Sequence, residues 1–492
     1  MITKFREPMR PRNWLILLTA AWLIAPCAQA FSQAQYVAPD FRIQTGMVSL
    51  QFPGSKGESL AFAGRDQNGT PKLGLLRLDD TKVDYREIEL PDTAVAIDAG
   101  ASSTSAEALF VLTAKGVLAL DRFDGKLKAV ASSSSLYRGR SLAELTSGLN
   151  FARDIDDDGS AEFLIPDFDV LHVVSEDAQR ALALPSYRRG YDQTVTYRPT
   201  SVTAAPSVNG GALYAVRGKE LLSFSGEAEN PELSTLTLGL SDEKERETFY
   251  NSYEDIDQND VVLREMDRFV DVNGDSLPDI MTLETVSEGV FDKRTTYRVH
   301  HGRVVDDRLV FDREADTTLS SEGYQVGARI AELDESRKLM VTASVRVGVR
   351  AIIGALFSRA VTMRVEIYPA DQFGTIASTP GTEIKSRVKF DFGTGQVEFP
   401  TIVFGDIDGD GINDLILKER KRALNWRRGN EQGAFAKKSA ELNVTGPADG
   451  TDVALSDLDG DARDEVIVLY GRADGEDLAG QIAVYRDFRT SP

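Results

Sequence analysis

The sequence holds a single cysteine in 492 residues, three histidines, and only 8% aromatic residues. The one cysteine, Cys27, lies in the apolar N-terminal stretch, so the rest of the chain has no disulfide, no thiolate nucleophile and no cysteine-ligated metal. His172, His300 and His301 form no His-x-x-x-His pair, which argues against a zinc hydrolase. His300 and His301 are adjacent and would point to opposite faces of an extended strand. There is no G-x-S-x-G element, no P-loop and no strand-linked G-x-G-x-x-G. Long apolar runs are also missing, apart from the first thirty residues.

Those thirty residues read as a secretory signal peptide. Lys4, Arg6, Arg10 and Arg12 precede the apolar run WLILLTAAWLIAP, and Ala28-Gln29-Ala30 supplies a small-x-small cleavage site. Residues 1–30 are therefore expected to leave, and 31–492 to form the mature protein in the periplasm or outside the cell. The stretch before Cys27 loosely matches a lipoprotein acceptor, but Pro26 fits that motif poorly, so simple cleavage is expected over lipid anchoring. The net charge of the whole chain is −21, and removing a basic leader makes the remainder more acidic still. Such a surface disfavours nucleic acid and anionic lipid as partners, and suits a divalent cation.

What is present is a repeated acidic pattern. The segments DIDDDGSAE, DVNGDSLPD, DIDGDGIND and DLDGDARDE place oxygen-bearing side chains at loop positions 1, 3, 5 and 9. The four sets are Asp154, Asp156, Asp158, Glu162; Asp271, Asn273, Asp275, Asp279; Asp406, Asp408, Asp410, Asp414; and Asp457, Asp459, Asp461, Glu465. Alternate carboxylates in a tight loop repel one another unless a cation lies between them. Ca²⁺ takes six to eight oxygens, and a small residue at position 6 (Gly159, Ser276, Gly411, Ala462) allows the sharp turn. An EF-hand is excluded. Position 12 is Ile165, Thr282, Leu417 or Val468, and each loop runs into a strand-like segment rather than a helix. The position-9 carboxylate must then close the loop.

With Phe404-Gly405 ahead of the third loop, the D-x-[DN]-x-D-x-x-x-[DE] pattern resembles the FG-GAP or VCBS repeats of integrin α-chain-like propellers. The resemblance implies an all-β propeller with calcium loops between the first and second strands of certain blades. Asp406 and Asp457 lie 51 residues apart, a one-blade period. Metal-free units with starts near 54, 101, 207 and 332 fill the remaining slots, and Lys338 could replace the ion's charge in the shortened loop at Glu332. Seven or eight four-stranded blades fit this count, eight being favoured over the seven of the family. An N-terminal strand such as Phe41-Arg-Ile-Gln would complete the last blade.

Two insertions interrupt the period. Residues 241–260 are highly charged and read as a surface excursion with helical character. Residues 344–368 carry Arg346, Arg350, Arg359 and Arg364 with no acid before Glu366, and form the best-placed segment for a membrane or protein contact. Against that stands the reading of Val341–Val347 and Val361–Ile367 as core strands of one blade. The expected function is a non-catalytic binding or adhesion module for a protein or glycan, with Ca²⁺ structural in the loops. The alternative is a propeller enzyme, a polysaccharide lyase or hydrolase acting on an extracellular polymer, with Tyr187, Arg188 or Arg189 as candidate groups.

Overall fold

A computed structural model describes residues 33–486, apart from short internal stretches of which 139–144, 206–210, 250–258 and 346–358 are the longest. Eight antiparallel four-stranded blades form a closed ring, and helix is nearly absent. In each blade the second strand is flanked by the first and third and covered by the neighbouring blades on both faces. That burial explains why Glu162–Pro166, Ser59–Arg65 and Glu465–Leu469 read as continuous apolar runs instead of alternating ones. The core is correspondingly divided into layers between blades. Leu415 and Leu417 of blade 7 pack on Leu333, Leu339, Val341, Ile384 and Val388 of blade 6, and Ile467 and Val484 of blade 8 pack on Leu60 and Phe62 of blade 1.

All eight expected repeat starts fall at the junction between a blade's first and second strands. Blade 3 joins Ala152–Arg153 to Glu162–Pro166, blade 5 joins Asn259–Val270 to Asp279–Glu288, blade 7 joins Ile402–Gly405 to Asp414–Arg420, and blade 8 joins Val453–Ser456 to Glu465–Leu469. In blade 4 the junction itself, 206–210, lies outside the described residues, while the flanking strands Val202–Ala205 and Ala212–Arg217 pair antiparallel.

The ring is closed by the N-terminus, but by a different strand from the one expected. Gln33–Val37 pairs with Ile482–Arg486, from Gln33↔Arg486 to Val37↔Ile482, and completes blade 8. Phe41 instead precedes Arg42–Ile43, which pairs with Ser59–Arg65 in blade 1. Phe41 is buried at this seam, 6.0 Å from the Phe62 ring, so its apolarity marks a core plug between the two blades.

Two ribbons stand outside the blades, Tyr187–Tyr191 with Thr194–Arg198 and Gly302–Val305 with Arg308–Phe311. In the acidic insertion, residues 244–246 are helical, and Asp242 and Glu245 exchange side-chain-to-backbone bonds of 2.8 and 2.7 Å as a capping box. Lys338–Val345 and Ala360–Pro369 pair within blade 6, and the arginine-rich stretch between them falls at 346–358, outside the described residues. Residues 1–32 also lie outside them. No helix among the described residues is long and apolar enough to cross a membrane.

Candidate metal centres

The four acidic loops fold alike. In each, the position-1 carboxylate turns inward and accepts backbone N–H groups from within the loop. Asp406 accepts from Gly409 and Gly411, both at 2.7 Å, and Asp457 accepts from Gly460 at 2.7 Å and Ala462 at 2.9 Å. Asp271 accepts from Gly274 at 2.6 Å and Ser276 at 3.1 Å, and Asp154 from Gly159 at 2.9 Å and Asp158 at 3.2 Å. The position-9 carboxylate reaches back across the loop to the N–H at position 2. Glu162 takes Ile155 at 2.8 Å, Asp279 takes Val272 at 2.8 Å, Asp414 takes Ile407 at 3.3 Å, and Glu465 takes Leu458 at 2.8 Å.

This geometry requires two left-handed residues per loop, at positions 4 and 6. They are Asp157 and Gly159, Gly274 and Ser276, Gly409 and Gly411, and Gly460 and Ala462, with φ between 63° and 83°. A left-handed conformation costs a non-glycine residue about 1–2 kcal/mol, so Asp157, Ser276 and Ala462 hold it against their own preference. The requirement at position 6 was legible in the sequence; the one at position 4 was not singled out.

The result is convergence of carboxylates. Asp154, Asp156 and Glu162 each bring an oxygen within 4.8 Å of the others, as do Asp406, Asp408 and Asp414, and Asp457, Asp459 and Glu465. The position-5 residues Asp158, Asp410 and Asp461 stand outside these groups of three. In the second loop Asn273 replaces the position-3 carboxylate, its amide donates to Asp275 at 3.0 Å, and His301 lies 3.3 Å from Asp279.

The donor sets suit a hard cation. Asp414 and Glu465 are buried, and burial together with the neighbouring loop carboxylates pushes their carboxyls up to about 7 and about 9. Glu162 is held up to about 7 for the same reasons. Asp408 is 90% buried, and its Oδ1 has no hydrogen-bond partner. Three oxygens crowded into one partly buried site, one of them without a donor, are what a divalent cation would relieve.

Basic groups border two of the loops. Arg428 of blade 7 lies 2.8 Å from both Asp408 and Asp410. Lys338 does not neutralise its own blade's shortened turn, as the sequence suggested; there Arg337 binds Asp334. Lys338 reaches instead into the preceding blade, donating to the Asp271 carbonyl at 3.2 Å with the Asp271 carboxylate at 3.8 Å.

Neighbouring loops are also laced together. Asp464 N–H donates to the Asp406 carbonyl and Asp406 N–H to the Asp464 carboxylate, both at 2.7 Å. A Cβ on Gly405 would stand 2.3 Å from that carboxylate, which explains the glycine after Phe404. The backbone N–H of Glu58 in blade 1 likewise donates to the Asp457 carbonyl at 2.8 Å, and that of Asn413 in blade 7 to the Leu333 carbonyl at 2.7 Å.

Residues 406–468, spanning the third and fourth loops, match the FG-GAP-like repeat. The chain is an eight-bladed propeller that carries an FG-GAP-like repeat at residues 406–468. No curated protein sequence matches it at a significant level. Among solved structures the propeller is similar to BBS1N in complex with ARL6DN, soaked with mercury, at 10% identity and a TM-score of 0.36, covering 94% of this chain and 98% of that one. It is also similar to the core factor of S. cerevisiae, at 10% identity and 0.32 with 80% and 60% covered, and to AofleA from Arthrobotrys oligospora, at 8% and 0.26 with 84% and 90% covered. Similarities of this order carry no functional argument.

The remaining candidate groups of the propeller do not converge on a catalytic arrangement among the described residues. Ser134 Oγ donates to Asp167 at 2.8 Å and lies 3.3 Å from His172 Nε2, but Asp167 approaches that same nitrogen, at 3.7 Å. A serine relay requires the acid on the opposite ring nitrogen, which here faces Gln179. Tyr187 is 61% exposed on the ribbon after blade 3, beside Arg188 and Arg189.

Proposed function

We propose that the protein is an exported calcium-binding propeller that serves as a non-catalytic binding or adhesion module. Residues 1–30 act as a secretory signal, and 31–492 form the exported unit. The observation that carries the calcium reading is the same convergence of three carboxylates on a buried position-9 group in three loops, with Asp408 Oδ1 left without a partner in one of them. Asp154, Asp156 and Glu162; Asp406, Asp408 and Asp414; and Asp457, Asp459 and Glu465 would hold the ion, with Asp158, Asp410 and Asp461 at the loop rim. The second loop, with Asp271, Asn273, Asp275 and Asp279, would hold it more weakly because of its neutral position 3 and the nearby Lys338. Bound calcium supplies positive charge that offsets the repulsion among these carboxylates. The protein's own part is to hold the oxygens in place through the N–H bonds at positions 4, 6 and 2. Affinity in the range of about 10⁻⁴–10⁻³ M, usual for extracellular modules, is expected.

The test is thermal unfolding in EDTA and across a calcium titration, with magnesium as control. A ligand that binds only the folded chain raises Tm with its concentration. A calcium-specific rise is expected. Asp406→Ala should lower calcium content and cost about 1–2 kcal/mol, because the inward N–H groups lose their acceptor. An unchanged Tm with calcium in metal-free protein would leave the aspartates as turn formers only.

A further inference from the structure

A cavity of about 870 Å³ lies between blades 6 and 7. Its upper wall is formed by the second-to-third turn of blade 7 and the connections Pro400–Thr401 and Pro447–Ala448 between blades. In an antiparallel blade these features sit at the end opposite the first-to-second loops. The cavity therefore opens away from the acidic rim.

Its composition inverts that of the rest of the molecule. Lys385, Arg387, Lys389, Lys418, Arg422 and Arg427 line it, against Glu383 alone among acids. Glu383 is engaged by Lys385 at 3.4 Å and Arg364 at 3.5 Å, and Asp474 stands behind Arg422 at 3.1 Å. Lys418 is held by the carbonyls of Pro447 and Ala448, both at 2.9 Å. Six basic side chains against one acid thus line this wall, in a chain whose net charge is −21. Thr401, fully buried in the same wall, has a hydroxyl with no protein partner.

The cavity touches five consecutive residues, Glu383 to Arg387, of the strand Thr382–Asp391. Successive side chains of a strand point to opposite faces, so a space that meets all five abuts the backbone edge. That edge is open. The strand pairs with Ala360–Pro369 along one side, but on the other Gln396–Glu398 covers only Lys389 to Asp391. Among the described residues, Glu383–Val388 has no ladder partner there. Lys385, Arg387 and Lys389 recur along it every second residue, about 7 Å apart, which is also the side-chain repeat of an extended peptide.

We propose that this edge and its basic cavity receive an extended acidic peptide segment of a partner protein, added as a further strand to blade 6. Backbone bonds to the open edge supply affinity, and alternate carboxylates set against Lys385, Arg387 and Lys389 supply selectivity. This gives a partner class to the binding-module reading, on which it rests, while using residues remote from the calcium loops.

The experiment is fluorescence anisotropy of labelled hexaglutamate with the full chain, with labelled oligogalacturonate as the glycan counterpart. The double variant Lys385→Glu/Arg387→Glu changes exposed side chains only, and Lys115→Glu on blade 2 serves as a charge control. The peptide should bind, the control should leave Kd within about twofold, and the double variant should weaken it at least about tenfold. Three results would overturn the proposal: no peptide binding, as expected of cations that only guard a free edge; equal binding by the double variant; or binding of the oligogalacturonate without the peptide. The calcium-dependent shift in Tm, read on the same variants, reports the loop assignment separately and stays whichever way the peptide result falls.

Discussion

At the scale of single residues, the acidic loops are governed by how many charges each oxygen must share. Arg428 already contributes a cation to Asp408 and Asp410. It is 57% exposed on its side chain, so the pair is screened, yet it occupies oxygens that an ion would use. Arg428→Ala should therefore tighten calcium binding at the Asp406 loop by about three- to tenfold, measured by titration calorimetry; weaker binding would show that Arg428 builds the site instead of competing with it. Arg428 lies eighteen residues from Asp410, directly after the third strand of its blade, Ala423–Arg427, and no local spacing connects the two. The carboxylates at positions 1, 3 and 9 were legible because their offsets repeat in four places. Lys338 was visible as a charge near a defective loop, but its direction was not, since only the inter-blade packing shows that it serves the preceding blade.

At the scale of elements, the recurring unit is a hairpin whose turn is tied to the next blade. The eight junctions were readable because each second strand is an apolar run preceded by turn residues. The strand Gln33–Val37 was not, since QAQYV carries little hydrophobic signal and gains its place only through its partner. The connection from blade 7 to blade 8 carries a different strain. Asp452 is packed near Asp449 and Asp474, and its carboxyl is pushed up to about 6, by burial first and then by these two acids, against the pull of Lys418. A folded value above the unfolded one means that ionisation weakens the fold. The contribution is whole below about pH 4 and is lost as pH rises through about 6. Asp452→Asn should accordingly raise Tm by about 1–2 °C at pH 7.5 and leave it unchanged at pH 4. An equal gain at both values would assign the effect to packing rather than to charge.

At the scale of the whole molecule, the fold is a ring held by one strand from the far end of the sequence. Without Gln33–Val37, Ile482–Arg486 becomes a free edge and the seam with blade 1 opens toward solvent. Deleting residues 33–37 should lower Tm by roughly 5 °C and promote self-association, read by calorimetry and light scattering. An unchanged monomer with unchanged Tm would mean that the seam is held by side-chain packing alone. The polarity of the ring follows from the same topology. Junctions between first and second strands gather the carboxylates at one end, and the connections between blades gather the cations of the large cavity toward the other.

The closing strand also sets a timetable. Gln33 meets Arg486 only after every blade between them exists, so the first strand made is the last to find its place. Until then it waits as an unpaired segment, and the contact it finally makes is among the longest in sequence that the chain contains, the kind that slows folding. A nascent chain can assemble blades 1 to 7 in order as they emerge, each resting on the one before. Blade 8 alone requires both ends. An interruption near the C-terminus would therefore leave an open arc of seven blades with two sticky flanks, the form most exposed to aggregation and to proteases.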